Sequence, residues 1–180
     1  RDPQVCESFI DQWYFEALLT LAARLNDVHI TNAVRLLIDF TNLKILVRAR
    51  NLGLNPEAFK LFFIPHGSVD FAPYADKSAT LALVERLSRT TLASVASFLL
   101  PENAKRSMTE FELVAHNTQM AYLRRPQMSR RASNAAVLTY LRALESEVVN
   151  ILLILSAKQI RLSAEDTLWR IHDPFGVSYA

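Results

Sequence analysis

The segment of this sequence that comes nearest to a catalytic turn is Ile64-Pro65-His66-Gly67-Ser68, in which a histidine and a serine stand two residues apart. A serine nucleophile of the α/β-hydrolase type occupies a Gly-x-Ser-x-Gly elbow that follows a strand. The segment lacks that glycine pattern, and no alternating run typical of a strand precedes it. We therefore interpret it as a turn that joins two helices.

The residue types that bind metals and phosphates are present but scattered. The chain has four histidines, His29, His66, His116 and His172. None forms the His-x-x-x-His or Glu-x-x-His spacing that places two metal ligands on one helix face. Cys6 is the only cysteine, which excludes a cysteine-based zinc site and an intrachain disulfide and suits a reducing compartment. No glycine-rich phosphate loop occurs, so we expect no catalytic residue, no metal and no cofactor.

A polar step inside an apolar helix occurs twice in the chain. Ile30–Ala58 and Leu138–Asp166 align with an offset of 108 positions, and both keep an acid followed three residues later by asparagine. The identical pairs are Thr31/Thr139, Leu36/Leu144, Asn42/Asn150, Ala49/Ala157, Leu54/Leu162 and Glu57/Glu165, and the charge is kept at Asp39/Glu147 and Arg50/Lys158. A repeat of this kind predicts a protein assembled from duplicated helical units.

The polar residues of the first copy lie on one helix face. Thr31, Arg35, Asp39 and Asn42 are spaced by four, four and three residues, so Arg35 and Asp39 can pair and Asn42 can reach a neighbouring helix end. A buried polar group without a partner costs about 1–3 kcal/mol. We therefore interpret a structural polar seam between packed helices, formed by Arg35, Asp39, Asn42, Glu147 and Asn150. The alternative is that these residues line a cavity or a partner surface.

Helical periodicity accounts for the rest of the chain. The seven prolines all fall between apolar-periodic stretches, as in an all-α protein, and no stretch has the pattern of a strand. Trp13, Tyr14 and Phe15 are expected in the core of the first helix. The predicted helices are Ser8–Leu25, about 29–52, a short one from Asn55, Ala75–Leu100, about 104–123, about 134–160, and a short one from Ser163 to about Ile171.

Composition excludes several classes of protein. The net charge of +2, from 20 basic and 18 acidic residues, gives no electrostatic argument for nucleic-acid binding. The longest apolar runs, such as Val148–Leu155, are interrupted and far shorter than the ~20 residues of a membrane span. No signal-peptide pattern is present. The chain also lacks an initiator methionine, and we expect it to be part of a longer protein.

One segment is strongly basic. Arg124, Arg125, Arg130 and Arg131 are four arginines within eight residues. Such a cluster can hold an acidic partner surface or lipid head groups. We interpret it as a possible partner-contact loop, and an ordinary exposed loop is the alternative.

The motif resembles a known family. Ala33–Leu54, AVRLLIDFTNLKILVRARNLGL, is similar to the signature of the C subunit of archaeal and bacterial V-type (A-type) ATPase/synthases, a relative of subunit d of the eukaryotic vacuolar ATPase. Phe63–Val69 resembles the family's Ile-Pro-Gly-Gly turn, with His66 at a usual glycine. Glu145–Lys158 resembles its Glu-x-Glu-Val-x-Asn-Ile segment, and Arg161 again stands where glycine is usual. The resemblance covers nearly the whole chain.

The resemblance implies an architecture. Family members consist of three similar helical units around a pseudo-threefold axis and form a funnel. On that basis residues 1–100 would be the middle unit and residues 101–180 the last unit, and the first unit would be absent upstream.

The resemblance also implies a role. The chain would be a non-catalytic central-stalk subunit on the cytoplasmic face of the membrane. It would join the proteolipid (c/K/L-type) membrane ring to the central-stalk subunits D and F, so that ATP hydrolysis or synthesis is linked to proton or sodium transport. No small-molecule substrate is implied. The alternatives are a helical-repeat protein–protein adaptor unrelated to rotary ATPases, which would expose an apolar groove, and a helical enzyme, which would need clustered titratable groups.

Overall fold

The computed structural model of the chain describes residues 3–103, 106–125 and 134–173, with side chains from residue 6 onward. These residues form eight α-helices and several short 3₁₀ turns, with no strand among them. The all-α prediction is confirmed. The chain divides into two compact units, Arg1–Arg106 and Ser107–Ala180. That they correspond to the middle and last units of a larger funnel stays a prediction.

The first unit is built on two long helices, α1 (Pro3–Arg24) and α2 (Val28–Asn51), which pack against each other. Three short helices follow, α3 (Pro56–Phe59), α4 (Thr80–Leu87) and α5 (Ala93–Ala96). The 3₁₀ turns of this unit are Lys60–Phe62, Ala72–Tyr74, Lys77–Ala79, Ser97–Leu99 and Pro101–Asn103.

Helix α2 is the central element of the first unit. Its capping residue is Asp27, whose carboxylate accepts the backbone N–H groups of His29 and Ile30 at 2.9 and 3.4 Å. These N–H groups have no partner within the helix, so the cap stabilises its first turn. Thirteen of its 24 residues are buried, which agrees with the apolar residues that occupy most of its circumference.

The second unit contains α6 (Met108–Arg124), α7 (Asn134–Gln159) and α8 (Ala164–Leu168), and α6 packs on α7. Ser107 caps α6 by accepting the N–H of Glu110, and Ser163 caps α8 by accepting the N–H of Asp166. Side-chain oxygens at these positions hold the first turns of both helices.

Helix α7 places small side chains toward its own unit and large ones outward. Its buried residues are Ala135, Thr139, Ala143, Ser146 and Ala157. We use the name "α7 stripe" for six exposed apolar residues at alternating spacings of four and three, namely Val137, Leu141, Leu144, Val148, Ile151 and Leu155. Large apolar side chains normally face the core. The packing of this unit alone therefore does not explain the residues of the α7 stripe.

Two local predictions are wrong. The expected single helix Ala75–Leu100 is broken between Leu87 and Ala93. Thr90 explains the break, because its hydroxyl donates to the Leu87 carbonyl and accepts the N–H of Leu92, a local arrangement that competes with helix continuation. Trp13 and Tyr14 are exposed, at 70% and 50%, and only Phe15 of the expected aromatic core is buried.

No helix in the described part of the chain is long and apolar enough to cross a membrane.

Candidate functional site

The repeated asparagine forms the same structure in both units. Asn42 donates its side-chain amide to the carbonyl of Ile64 at 2.8 Å and accepts the N–H of Ile64 at 2.7 Å. Asn150 makes the same two bonds with the backbone of His172, at 2.9 and 2.8 Å. Both partners lie 22 residues after the asparagine. We call this arrangement the asparagine clamp, since it fixes the chain that returns past each long helix.

The ends of the two long helices are also equivalent. Gly53 and Arg161 both have positive φ, +66° and +57°. In each unit the next residue, Leu54 or Leu162, donates its N–H back to the helix, to Ala49 or Ala157, at 2.9 Å. This hydrogen bond closes a helix through a left-handed residue, usually glycine. Arg161 therefore adopts a backbone conformation that favours glycine.

The buried acid of the first copy holds the turn after the clamp. Asp39 accepts the backbone N–H groups of Ser68 and Val69, each at 3.1 Å. Burial raises the pKa of Asp39 to about 6, although these N–H groups, the Ser68 hydroxyl and the charge of Arg35 act in the opposite direction. A Cβ on Gly67 would collide with the Asp39 carboxylate, so this position needs glycine for close approach.

The residues expected in the polar seam thus differ in their surroundings. Asp39 and Asn42 are fully buried, Asn150 and Glu147 are half-buried, and Arg35 is exposed. In each unit the hydrogen-bond partners described above are backbone groups of a returning segment, not side chains of another long helix. A seam role for these five residues stays a prediction.

A histidine pair forms a second polar cluster, which the sequence did not indicate. The rings of His116 on α6 and His172 stack with centroids 4.2 Å apart, and Nε2 of His116 lies 2.8 Å from the Ser146 hydroxyl. Burial, the neighbouring His172 and the charge of Arg142 lower the pKa of His116 to about 4. Burial and Arg142 also lower the pKa of His172, against the opposing charge of Glu112. Both rings are therefore neutral near pH 7.

A cavity of about 460 Å³ in the first unit is the place to look for enzymatic groups. Arg50 is the buried charge on its wall, but its guanidinium already donates to the Thr80 hydroxyl and to the carbonyls of Tyr74 and Asp76. Among the described residues that line the cavity there is no histidine and no carboxylate. Nor do the described residues include a cluster of three or more metal-binding side chains. The turn at residues 64–68 is the segment that Asn42 and Asp39 hold through the backbone N–H groups of Ile64 and Ser68.

The basic segment is only partly described. Arg124 is the last residue of α6, where its Nη1 atom is buried and has no hydrogen-bond partner among the described residues. Arg125 is exposed and lies over the ring of Tyr122. Arg130 and Arg131 lie outside the described residues. A partner-contact role for the four arginines stays a prediction.

Both units expose large apolar side chains along long helices. On α1 these are Phe9, Ile10, Trp13, Tyr14 and Leu21, with Leu25 directly after the helix, and on α7 they are the α7 stripe together with Tyr140, Val149 and Leu152. Burying one such side chain contributes about 1.5–3 kcal/mol. Contiguous exposed apolar surface is typical of a protein that binds other proteins. The helical period was evident from the sequence, but which face would be covered was not.

Comparison with known proteins agrees with these features. The search of the curated proteins and the search of the solved structures returned no match. A family model described as "ATP synthase (C/AC39) subunit" matches residues 1–170. Because that match covers nearly the whole chain, including both asparagines of the clamps, Asn42 and Asn150, the chain belongs to the ATP synthase (C/AC39) subunit family.

Proposed function

We propose that this chain is part of a non-catalytic central-stalk subunit of a rotary V-type ATPase/synthase. In this role it joins the shaft formed by subunits D and F to the proteolipid ring, on the cytoplasmic face of the membrane. ATP hydrolysis or synthesis is thereby linked to proton or sodium transport. The observation that carries the proposal is membership of the C/AC39 family over residues 1–170.

The chemistry of the described residues supports a role in binding rather than catalysis. A coupling subunit needs stiff elements and broad contact surfaces. The asparagine clamps fix returning segments against long helices, and α1 and α7 carry apolar residues that remain uncovered. The described residues of the cavity wall include Arg50, whose guanidinium is already bonded to three oxygen atoms, but no acid–base pair.

The test is binding to the two expected partners. The full-length protein is incubated with detergent-solubilised proteolipid ring and, separately, with the purified D–F pair, and ATPase activity is measured in parallel. We expect capture of both partners and no ATPase activity from the subunit alone. Failure to bind either partner overturns the proposal and favours the adaptor alternative, which the exposed apolar faces would also suit.

The basic segment provides a more local test of ring contact. We expect Arg125→Glu with Arg130→Glu to weaken association with the ring, since contacts there would be made by loops. Arg89→Glu, an exposed arginine of the first unit, is the control. Unchanged ring association in the double variant removes the basic segment from the proposed interface.

A further inference from the structure

We infer that the α7 stripe is a docking surface for an amphipathic helix of a partner protein, with basic residues on both sides of the partner's apolar face. The inference stands on the geometry of α7 and does not require that the partner be the shaft or the ring. Its six residues are 39–61% exposed, at the two extremes Leu144 and Val137. These values describe an apolar face that the described chain leaves open.

The spacing of the α7 stripe identifies the kind of partner. Its residues follow one another at intervals of four, three, four, three and four positions, which is the a/d pattern of a coiled-coil seam. Such a seam accepts the side chains of a second helix between its own. At 1.5 Å per residue the face is about 27 Å long, the length of a helix of about 18 residues.

The first unit shows what covers the equivalent face. Leu36, Leu43 and Val47 correspond in the repeat to Leu144, Ile151 and Leu155, and all three are buried. Val47 lines the cavity of the first unit together with the apolar side chains Leu81 of α4 and Phe98 and Leu99 of the 3₁₀ turn Ser97–Leu99. Apolar residues on helical segments therefore lie around the same cavity as this point of the motif helix. The same chemistry suits the α7 stripe.

The charges beside the α7 stripe decide between possible occupants. Glu145 and Glu147 flank its central residues on opposite sides, at the positions called e and g in a coiled coil. Glu145 is exposed and pairs with Arg142 at 2.5 Å, and Glu147 is half-buried. Acidic flanks repel an anionic membrane surface. In a second copy the residues at these flanking positions are the same two glutamates, whereas basic flanking residues on a partner helix complement both.

The experiment uses the 180-residue chain and two designed peptides of three heptads each. Both peptides have leucine at a and d; one has lysine at e and g, and the other has glutamate there. We expect fluorescence anisotropy to show binding of the lysine peptide at least tenfold tighter than binding of the glutamate peptide. Equal affinity for the two peptides, or no binding of the lysine peptide, overturns the inference.

Variants on α7 separate the surface from the fold. Leu144→Glu with Ile151→Glu should weaken binding of the lysine peptide at least tenfold, because both side chains lie on the α7 stripe. Val149→Glu is the matched control, an exposed apolar residue of the same helix outside the stripe, and should bind as the unchanged chain does. A loss of equal size in Val149→Glu contradicts the inference.

Charge exchange gives a readout that loss of folding cannot imitate. Glu145→Lys with Glu147→Lys should reverse the preference, so that the glutamate peptide binds more tightly. Sedimentation of the chain alone tests a second copy as the occupant. Dimerisation that Leu144→Glu abolishes would show that a second copy covers the α7 stripe, and it would overturn the inference. Binding to anionic vesicles through the same residues would also overturn the inference. Neither ring nor shaft is present, so the outcome is independent of the pull-down.

Discussion

Helices α2 and α7 both carry an acid followed three residues later by asparagine, but these residues are buried in α2 and half-buried in α7. Asn42 and Ile64 form a clamp that is fully buried, whereas the clamp between Asn150 and His172 is half-buried. The base that follows differs too: Arg50 is buried and bonded to three oxygen atoms, and Lys158 is exposed. The local hydrogen-bond geometry is thus kept where the surrounding packing has changed. Equal contacts in the two units should therefore differ in their contribution to stability.

The largest difference is expected at the asparagine clamps. Asn42→Ala leaves the N–H and C=O of Ile64 buried without partners and should lower the free energy of unfolding of the first unit by about 3 kcal/mol. Asn150→Ala should cost the second unit about 1 kcal/mol, because water can reach its half-buried clamp. Hydrogen exchange of α2 and α7 amides measures each unit separately. Equal losses would show that burial does not set the contribution of the clamp.

The buried acid of the first unit should make that unit less stable as pH rises. The pKa of Asp39 is about 6 in the folded chain and 3.8 in its ordinary state, so between these values the folded form binds more protons than the unfolded form. Its contribution to the free energy of unfolding is absent below pH 3.8, becomes unfavourable as the pH rises, and levels off above pH 6 at about 3 kcal/mol.

Exchange of α2 amides between pH 4 and pH 7, with intrinsic rates corrected, measures this effect. Asp39→Asn should remove the decline, and Asp11→Asn, an exposed acid of α1, should leave it in place. A decline that persists in Asp39→Asn would assign the effect to another group.

The histidine pair should give the second unit the opposite response. The pKa of His116 is about 4 in the folded chain against an ordinary 6.5, so the unfolded form binds the proton first as pH falls. Stability is fully present above pH 6.5 and is lost as the pH falls toward 4. Because His116 is partly exposed, we expect a loss of about 2 kcal/mol rather than the full value of the shift.

The second unit of His116→Gln should lose less stability in acid than the unchanged chain, and exchange of α7 amides at pH 4.5 and 7 measures the difference. Gln can still bond the Ser146 hydroxyl, so a large loss already at pH 7 would point to packing rather than titration. His66→Gln in the exposed turn of the first unit is the control.

The sequence predicted the long helices and the duplicated acid–asparagine step because both depend on regular spacing. It could not indicate what the asparagines bind, since their partners are backbone atoms of Ile64 and His172, whose side chains take no part in the clamp. It also missed the histidine pair, in which rings 56 positions apart in the sequence meet only after the second clamp brings back the chain. The break in the predicted helix Ala75–Leu100 was also missed, because it involves local hydrogen bonds of the Thr90 hydroxyl that regular spacing does not indicate.

The spacing of apolar residues also could not predict which apolar side chains are exposed. Trp13 and Tyr14 have the composition of core residues, and the α7 stripe has a regular apolar period, yet both face outward. Periodicity shows that a helix has an apolar face, but a partner chain can bury that face as well as the helix's own unit can. The sequence of one subunit does not distinguish the two cases.

The smallest difference is expected at the two helix ends, where one unit has glycine and the other has arginine. Arg161 is held at φ +57°, which an L residue adopts at a cost of about 1 kcal/mol, so Arg161→Gly should stabilise the second unit by up to about that amount. Gly53→Ala introduces the same strain into the first unit and should destabilise it by about 1 kcal/mol. Steric collision does not complicate that change, since a Cβ at position 53 meets nothing within 4 Å.

Opposite signs at these two positions, measured by exchange of α7 and α2 amides, are the result expected if backbone conformation sets the change. Arg161→Ala separates the backbone from the arginine side chain, because alanine removes the side chain but keeps the strain. If Arg161→Ala stabilises the second unit as much as Arg161→Gly, the arginine side chain rather than the backbone strain is responsible. In that case the two helix ends would differ in stability because of their side chains, although Leu54 and Leu162 make equivalent hydrogen bonds.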